Sequence, residues 1–137
     1  MRRTPSQTVG PFYAIGLCRR DDEALDPDGV ELTGRLLDGQ GGPIVDGMIE
    51  VFDPESRSWG RSSTAPDGVF RFRVPPSARR LETWVFARGL LRHELTRIYL
   101  DGGADAEDET LRAQPDGEAF RFDIRMQGER PTLFFEH

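Results

Sequence analysis

The chain has no lysine and no asparagine, one cysteine (Cys18), two histidines and two tyrosines among its 137 residues. Without lysine there is no P-loop lysine, no Schiff base and no pyridoxal-phosphate anchor. Without asparagine there is no N-glycosylation acceptor. All 18 basic residues are arginine, whose guanidinium stays charged and serves poorly as a base. One thiol builds no intrachain disulfide, no cysteine zinc site and no redox pair. No apolar stretch approaches the roughly 20 residues of a membrane helix, and no apolar run follows Met1-Arg2-Arg3-Thr4-Pro5 as a secretory signal requires. These features predict a cytoplasmic protein with no membrane partner. A net charge of −6 and an isoelectric point near 4.9 argue against a nucleic-acid partner.

What is present fits one domain. A chain of this length buries roughly two-thirds of its surface on folding, and 36% of its residues are hydrophobic. Charge is uneven along it. Residues 1–20 carry Arg2, Arg3, Arg19 and Arg20 and no acid, whereas residues 21–31 carry six acids and no arginine. A second acidic stretch is Asp101, Asp105, Glu107, Asp108 and Glu109. Both stretches read as solvated loops. We therefore expect an N-terminal arm and acidic loop over 1–29 and a single β-sandwich domain over 30–137.

From residue 30 the hydrophobic period is two rather than 3.6. Val30–Leu37, Met48–Phe52, Val69–Val74, Thr83–Ala87, Glu94–Leu100, Phe120–Met126 and Thr132–Phe135 read as strands, separated by Gly, Pro and Asp clusters such as Asp38-Gly39-Gln40-Gly41-Gly42. Thr83–Ala87 is nearly continuously apolar, as in a strand covered on both faces, so Trp84 and Phe86 are expected in the core. Phe120–Met126 shows the cleanest alternation. One short helix is expected over Asp105–Ala113, with Asp105 as its N-cap. The fold class is all-β: an antiparallel β-sandwich of about seven to eight strands with an extended N-terminal arm and at most one short helix.

Several apparent motifs fail on inspection. His93-Glu94-Leu95-Thr96-Arg97 has arginine where a zincin needs its second histidine, and it lies in a strand pattern that keeps such ligands apart. Gly39-Gln40-Gly41-Gly42 leads into a strand rather than a helix N-terminus, so a hairpin turn accounts for it. No serine lies in a G-x-S-x-G elbow. Arg88 ends an apolar strand just before Gly89, the place of an ordinary surface cation and also a good one for clamping a carboxylate. Residues 4–13 have no hydrophobic period, two prolines and adjacent aromatics. Composition leaves open whether this arm lies across its own sandwich or lines a neighbour's pocket.

The arm's sequence, Thr4-Pro5-Ser6-Gln7-Thr8-Val9-Gly10-Pro11-Phe12, resembles the N-terminal signature of intradiol ring-cleavage dioxygenases, most of all that of protocatechuate 3,4-dioxygenase α subunits. Leu32–Asp38, Ile49–Phe52, Gly60-Arg61 with Asp67-Gly68, Val85–Gly89, Leu95–Tyr99 and Phe120–Glu129 agree with the family in the same order. In that family a ferric ion held by two Tyr and two His binds a catechol, a donor set that suits Fe(III). The resemblance places the family's H-x-H pair at Arg80 and Glu82, and the ligand loops, 53–59 and 75–79, hold no tyrosine. It therefore implies no metal ligands on this chain, an Fe3+ held by an iron-carrying β subunit in a hetero-oligomer, and an aromatic catechol carboxylate as substrate. It further implies that Thr8, Gly10, Pro11, Phe12 and Arg88 line the partner's active site, with no catalytic residue on this chain. The chain looks shorter than typical α subunits, with cuts at 18–30, 53–60 and 75–81. The alternative from another class is a self-associating, non-catalytic β-sandwich that serves as a binding or scaffold module.

Overall fold

A computed structural model describes residues 18–88, 90, 92–101, 105–128 and 130–136. Among them the strands are β1 (Val30–Leu37), β2 (Met48–Asp53), β3 (Ser58–Ser63), β4 (Val69–Val74), β5 (Arg80–Phe86), β6 (Glu94–Tyr99), β7 (Gln114–Asp116), β8 (Ala119–Arg121) and β9 (Ile124–Arg125). They form two sheets. One runs β4-β1-β8-β7, with β9 also paired to β1; the other runs β3-β2-β5-β6. The all-β sandwich is thus the observed architecture.

Alternation explains how the sheets close on one another. In β4, Phe70, Phe72 and Val74 are buried while Arg71 and Arg73 are exposed, because successive side chains leave opposite faces of a strand. β1 pairs antiparallel to β4 and sets Leu32 beside Phe72 and Gly34 beside Phe70. From the other sheet Ile49, Val51, Leu81, Val85 and Ile98 meet this layer in one core cluster. Thr64 closes one end of the core: fully buried, its hydroxyl accepts the Gly47 N–H at 2.8 Å and donates to the Ile44 carbonyl at 2.7 Å. Thr64→Val keeps the shape and strands both partners, so it should lower stability by about 2 kcal/mol in chemical denaturation.

Four expectations are corrected here. Thr83–Ala87 is not covered on both faces. Leu81, Thr83 and Val85 are buried, whereas Glu82, Trp84 and Phe86 are half-buried on the outer face. Phe120–Met126 is not one strand. It breaks into β8 and β9, which both run parallel to β1, because Asp123 leaves the ladder to accept the Arg35 N–H and the Arg35 Nη2, each at 3.0 Å. Thr132–Phe135 makes a bridge from Phe135 to Leu95 rather than a strand. Over 105–113 the chain forms only a 3-10 turn at Glu109–Leu111, capped by Asp108 and not Asp105, with the Asp108 side chain accepting the Thr110 N–H. A second 3-10 turn lies at Arg20–Glu23, and no α-helix occurs among the described residues. No helix among them is long and apolar enough to cross a membrane.

Candidate functional site

The outer face of the β3-β2-β5-β6 sheet carries the chemistry. Register places Arg61, Glu50, Trp84 and Leu95 in one row across it and Trp59, Phe52, Glu82 and Arg97 in the next. Period two brings Arg80 and Glu82 to this face of β5, and Arg97 and Tyr99 to the same face of β6. The resemblance assigned two metal-ligand positions to Arg80 and Glu82; the structure joins both into a chain of ion pairs. Arg80 Nε lies 3.2 Å from Glu82 Oε1. Arg97 Nε donates to Glu82 Oε2 at 3.2 Å, and Arg97 Nη1 donates to Glu107 Oε1 at 2.6 Å. Tyr99 completes the chain by donating its hydroxyl to Glu107 Oε2 at 2.9 Å. The Arg97 guanidinium also lies over the Phe135 ring, 4.6 Å from its centroid.

These residues do not fit a ferric ion. Arginine offers no lone pair to a metal, and both Glu82 oxygens are taken by guanidinium groups. Asp53, in the loop where the resemblance expected a further ligand, is buried. Its carboxylate accepts from Glu55 N, Ser56 N and Ser56 Oγ, which folds the turn after β2. A cavity of about 450 Å³ remains beside Arg80, walled by Pro54, Glu55, Arg79, Tyr99 and Glu107, so both ligand loops do converge on β5. Arg79 pairs with Glu55 across it at 3.3 Å. Among the described residues no three His, Cys, Asp or Glu side chains cluster as a metal ion needs.

Glu107 is the acid on which this arrangement turns. The hydrogen bond from its own backbone N–H comes first in holding its carboxyl below the usual 4.5. Desolvation opposes this, and the Tyr99 hydroxyl and the Arg97 guanidinium add to it. A carboxyl depressed in the folded state stabilises the fold above its unfolded pKa and loses that contribution as pH falls through the folded value. Stability should therefore decline below about pH 4.5. Glu107→Gln should flatten that decline in thermal melts run from pH 6 to about pH 3; an unchanged slope would remove Glu107 from the account. The neighbouring Tyr99 hydroxyl is raised, first by burial and then by the same Glu107 contact.

Arg88 follows β5 and is exposed. It lines a separate cleft of about 370 Å³ with Ile44, Leu90, Glu94, Met126 and Phe134. Thr8, Gly10, Pro11 and Phe12 lie outside the described residues. Sequence reasoning missed Arg97, Tyr99 and Glu107. The signal for the first two was the alternation Leu95-Thr96-Arg97-Ile98-Tyr99, which puts Leu95, Arg97 and Tyr99 on one face. Cys18 lies within electrostatic reach of Arg61 and Glu50 on the outer sheet face. Burial pushes its thiol up to about 11, against the lowering effect of Arg61. Alkylation of Cys18 at pH 8 should be roughly two orders of magnitude slower than for an ordinary thiol.

No family model matches the chain. Curated proteins do. The protocatechuate 3,4-dioxygenase alpha chain of Burkholderia cepacia is 31% identical over 193 aligned residues, covering 99% of this chain and 98% of that one. The chain belongs to the protocatechuate 3,4-dioxygenase alpha chain family. The alpha chain of Pseudomonas putida is also 31% identical, covering 97% of this chain and 96% of its own length. Alignments of 193 residues exceed the 137 of this family member, so the Burkholderia relative carries residues that it lacks. Solved structures agree on the fold. The dioxygenase domain of a dioxygenase carbohydrate-binding protein fusion from Streptomyces sp. SirexAA-E superposes with a TM-score of 0.58 at 21% identity, over 93% of this chain and all of that one. Hydroxyquinol 1,2-dioxygenase from Pseudomonas putida DLL-E4 superposes with a TM-score of 0.55 at 18% identity, over 79% of this chain and 60% of its own.

Proposed function

We propose that this chain is the non-iron-binding α subunit of a protocatechuate 3,4-dioxygenase-type enzyme. One observation carries the reading: in a chain of the alpha family, the positions assigned to the iron histidines are closed by the Arg80–Glu82–Arg97–Glu107 ion pairs. In this reading an iron-carrying β subunit holds the Fe3+ and cleaves protocatechuate with O2 to 3-carboxy-cis,cis-muconate in the cytoplasm. The α chain alone is inactive. The arm within 1–29 supplies Thr8, Gly10, Pro11 and Phe12 to the β chain's active-site mouth, and the sandwich over 30–137 supplies Arg88. A cation there orients the substrate's carboxylate, remote from the reacting ring carbons, and so fixes the ring without taking part in the bond changes.

Coexpression with a candidate β chain tests the assembly. The two should copurify in fixed ratio. A β chain that purifies alone, with the same iron content and turnover as when this chain is present, would remove the reading. A second reading, self-association, draws on Trp59, a tryptophan left 54% exposed on the outer sheet face. It predicts a stable homo-oligomer in solution that is indifferent to any β chain.

A further inference from the structure

Ion pairs cover the β6 side of the outer face of the β3-β2-β5-β6 sheet, but a groove of about 340 Å³ stays open on its β3 side, walled by Glu50, Phe52, Trp59, Arg61 and Trp84. Trp59 is 54% exposed, a large apolar ring left in water. The Arg61 guanidinium lies over it, 5.5 Å from the ring centroid. Glu50 commits one oxygen to Arg61: Nε donates to Oε1 at 2.7 Å, and Nη2 lies 2.5 Å from the same atom. Among the described residues no partner takes Glu50 Oε2, and none takes either indole N–H.

The chain enters the sandwich beside this groove. Cys18 is the first described residue and lies within electrostatic reach of Arg61, Glu50, Asp22 and Glu23. Leu25 and the Asp22 carbonyl fix the entry by packing closely against Gly60 of β3. Residues 1–17 lie outside the described residues. Their sequence carries Arg2 and Arg3 and no acid, and it sets Pro11, Phe12 and Tyr13 shortly before Cys18. An extended chain advances about 3.3 Å per residue, so the five residues from Cys18 back to Tyr13 span about 17 Å. Neighbouring strands are about 4.8 Å apart, which puts Trp84 on β5 only about 10 Å across the sheet from β3. The aromatic pair is thus within reach of that part of the chain. Aromatic-lined grooves take extended, proline-containing segments, and the residue before a proline is held out of helical conformation.

We propose that in the isolated chain this groove seats the chain's own N-terminal segment, with Pro11, Phe12 and Tyr13 against Trp59 and Trp84. The segment brings positive charge and no acid to an entry ringed by Glu50, Asp22 and Glu23. Its backbone carbonyls meet the indole N–H groups, and its rings cover the exposed face of Trp59. Composition leaves open whether this arm lies across its own sandwich or lines a neighbour's pocket; without a neighbour it takes the first course. A β chain that draws the arm into its own active-site mouth must then release it from this groove and uncover Trp59. The inference concerns the chain without a partner, so failure of β-chain association leaves it standing.

The chain has two tryptophans, so each indole N–H gives its own NMR signal, and Trp84→Phe leaves Trp59 as the sole indole fluorophore. In the full chain, Phe12→Ala with Tyr13→Ala should shift both indole signals and increase the quenching of Trp59 by acrylamide. Ser6→Ala should do neither. Trp59→Ala, at an exposed position, should speed tryptic removal of the segment at Arg19 about five-fold, the effect of one lost aromatic contact on the undocked population. Should the double variant lose its fold by its amide spectrum, Pro11→Ser takes its place. Indole signals and quenching that do not respond to Phe12→Ala with Tyr13→Ala would overturn the proposal. So would a cleavage rate unchanged by Trp59→Ala, or effects seen only at concentrations where the chain is a dimer and the groove holds a second copy.

Discussion

Replacing Gly34 by alanine should cost the fold about 3 kcal/mol or more, a large share of the stability of a domain this size. A Cβ there would lie 1.6 Å from the Phe122 carbonyl oxygen and 2.6 Å from Phe70 Cζ. Neither neighbour can yield cheaply. The Phe122 oxygen belongs to the backbone that runs parallel beside β1, pinned by the Phe122 N–H donating to the Thr33 carbonyl at 2.9 Å. Phe70 is fully buried, and moving its ring disturbs packing that has almost no free volume. The expected drop in melting temperature is on the order of 10 °C. Gly41→Ala provides the contrast. Nothing lies within 4 Å of a Cβ at Gly41, and only its φ of +80° resists a side chain, so the cost should be about 1 kcal/mol. Equal effects at the two positions would contradict the parallel pairing of β1 with the 120–125 segment.

In the αβ complex that we propose, Arg88→Ala should raise KM for a carboxylated catechol by about ten-fold or more, while KM for unsubstituted catechol changes little. A charge-assisted hydrogen bond to a carboxylate is worth about 1.5–3 kcal/mol, which sets the size of the effect. The comparison of the two substrates carries the result. A guanidinium that only supports the fold or the subunit contact would shift both equally, and equal shifts would end the clamp role. Thr8→Ala should raise KM in the same complex and leave the melting temperature of the isolated chain unchanged.

The core was legible in the sequence wherever burial is one-sided. Val69–Val74 shows why: phenylalanine and arginine alternate, and the sandwich has one dry face and one wet face there. β3 was not legible. Ser58–Ser63 has no apolar alternation, and it is a strand because β2 pairs with it and because Gly60 admits Leu25 and the Asp22 carbonyl closely against it. The apolar run at Thr83–Ala87 misled about Trp84 and Phe86, since composition does not say how much of an outer face ion pairs will cover. The break between β8 and β9 depends on Asp123 meeting Arg35, a contact between residues 88 apart in the chain.

The candidate site divides in the same way. Arg80 and Glu82 stood out because the resemblance assigned those positions to ligands. What occupies the vacated chemistry did not stand out, because Arg97 and Glu107 come from β6 and a distant loop, and local patterning cannot pair them. The acids at 101–109 read as a solvated loop, and one of them, Glu107, instead ties that loop to the sheet.

In the proposed α role this family member has given up the metal and kept the fold, and iron content per chain decides between that role and an iron-binding chain. The chain is purified alone and in complex with an iron-carrying β chain, and iron is measured against protein in each. No iron should be bound by the chain alone, and iron in the complex should be in proportion to the β chain. Stoichiometric Fe3+ on the isolated chain, with a phenolate charge-transfer colour, would contradict it.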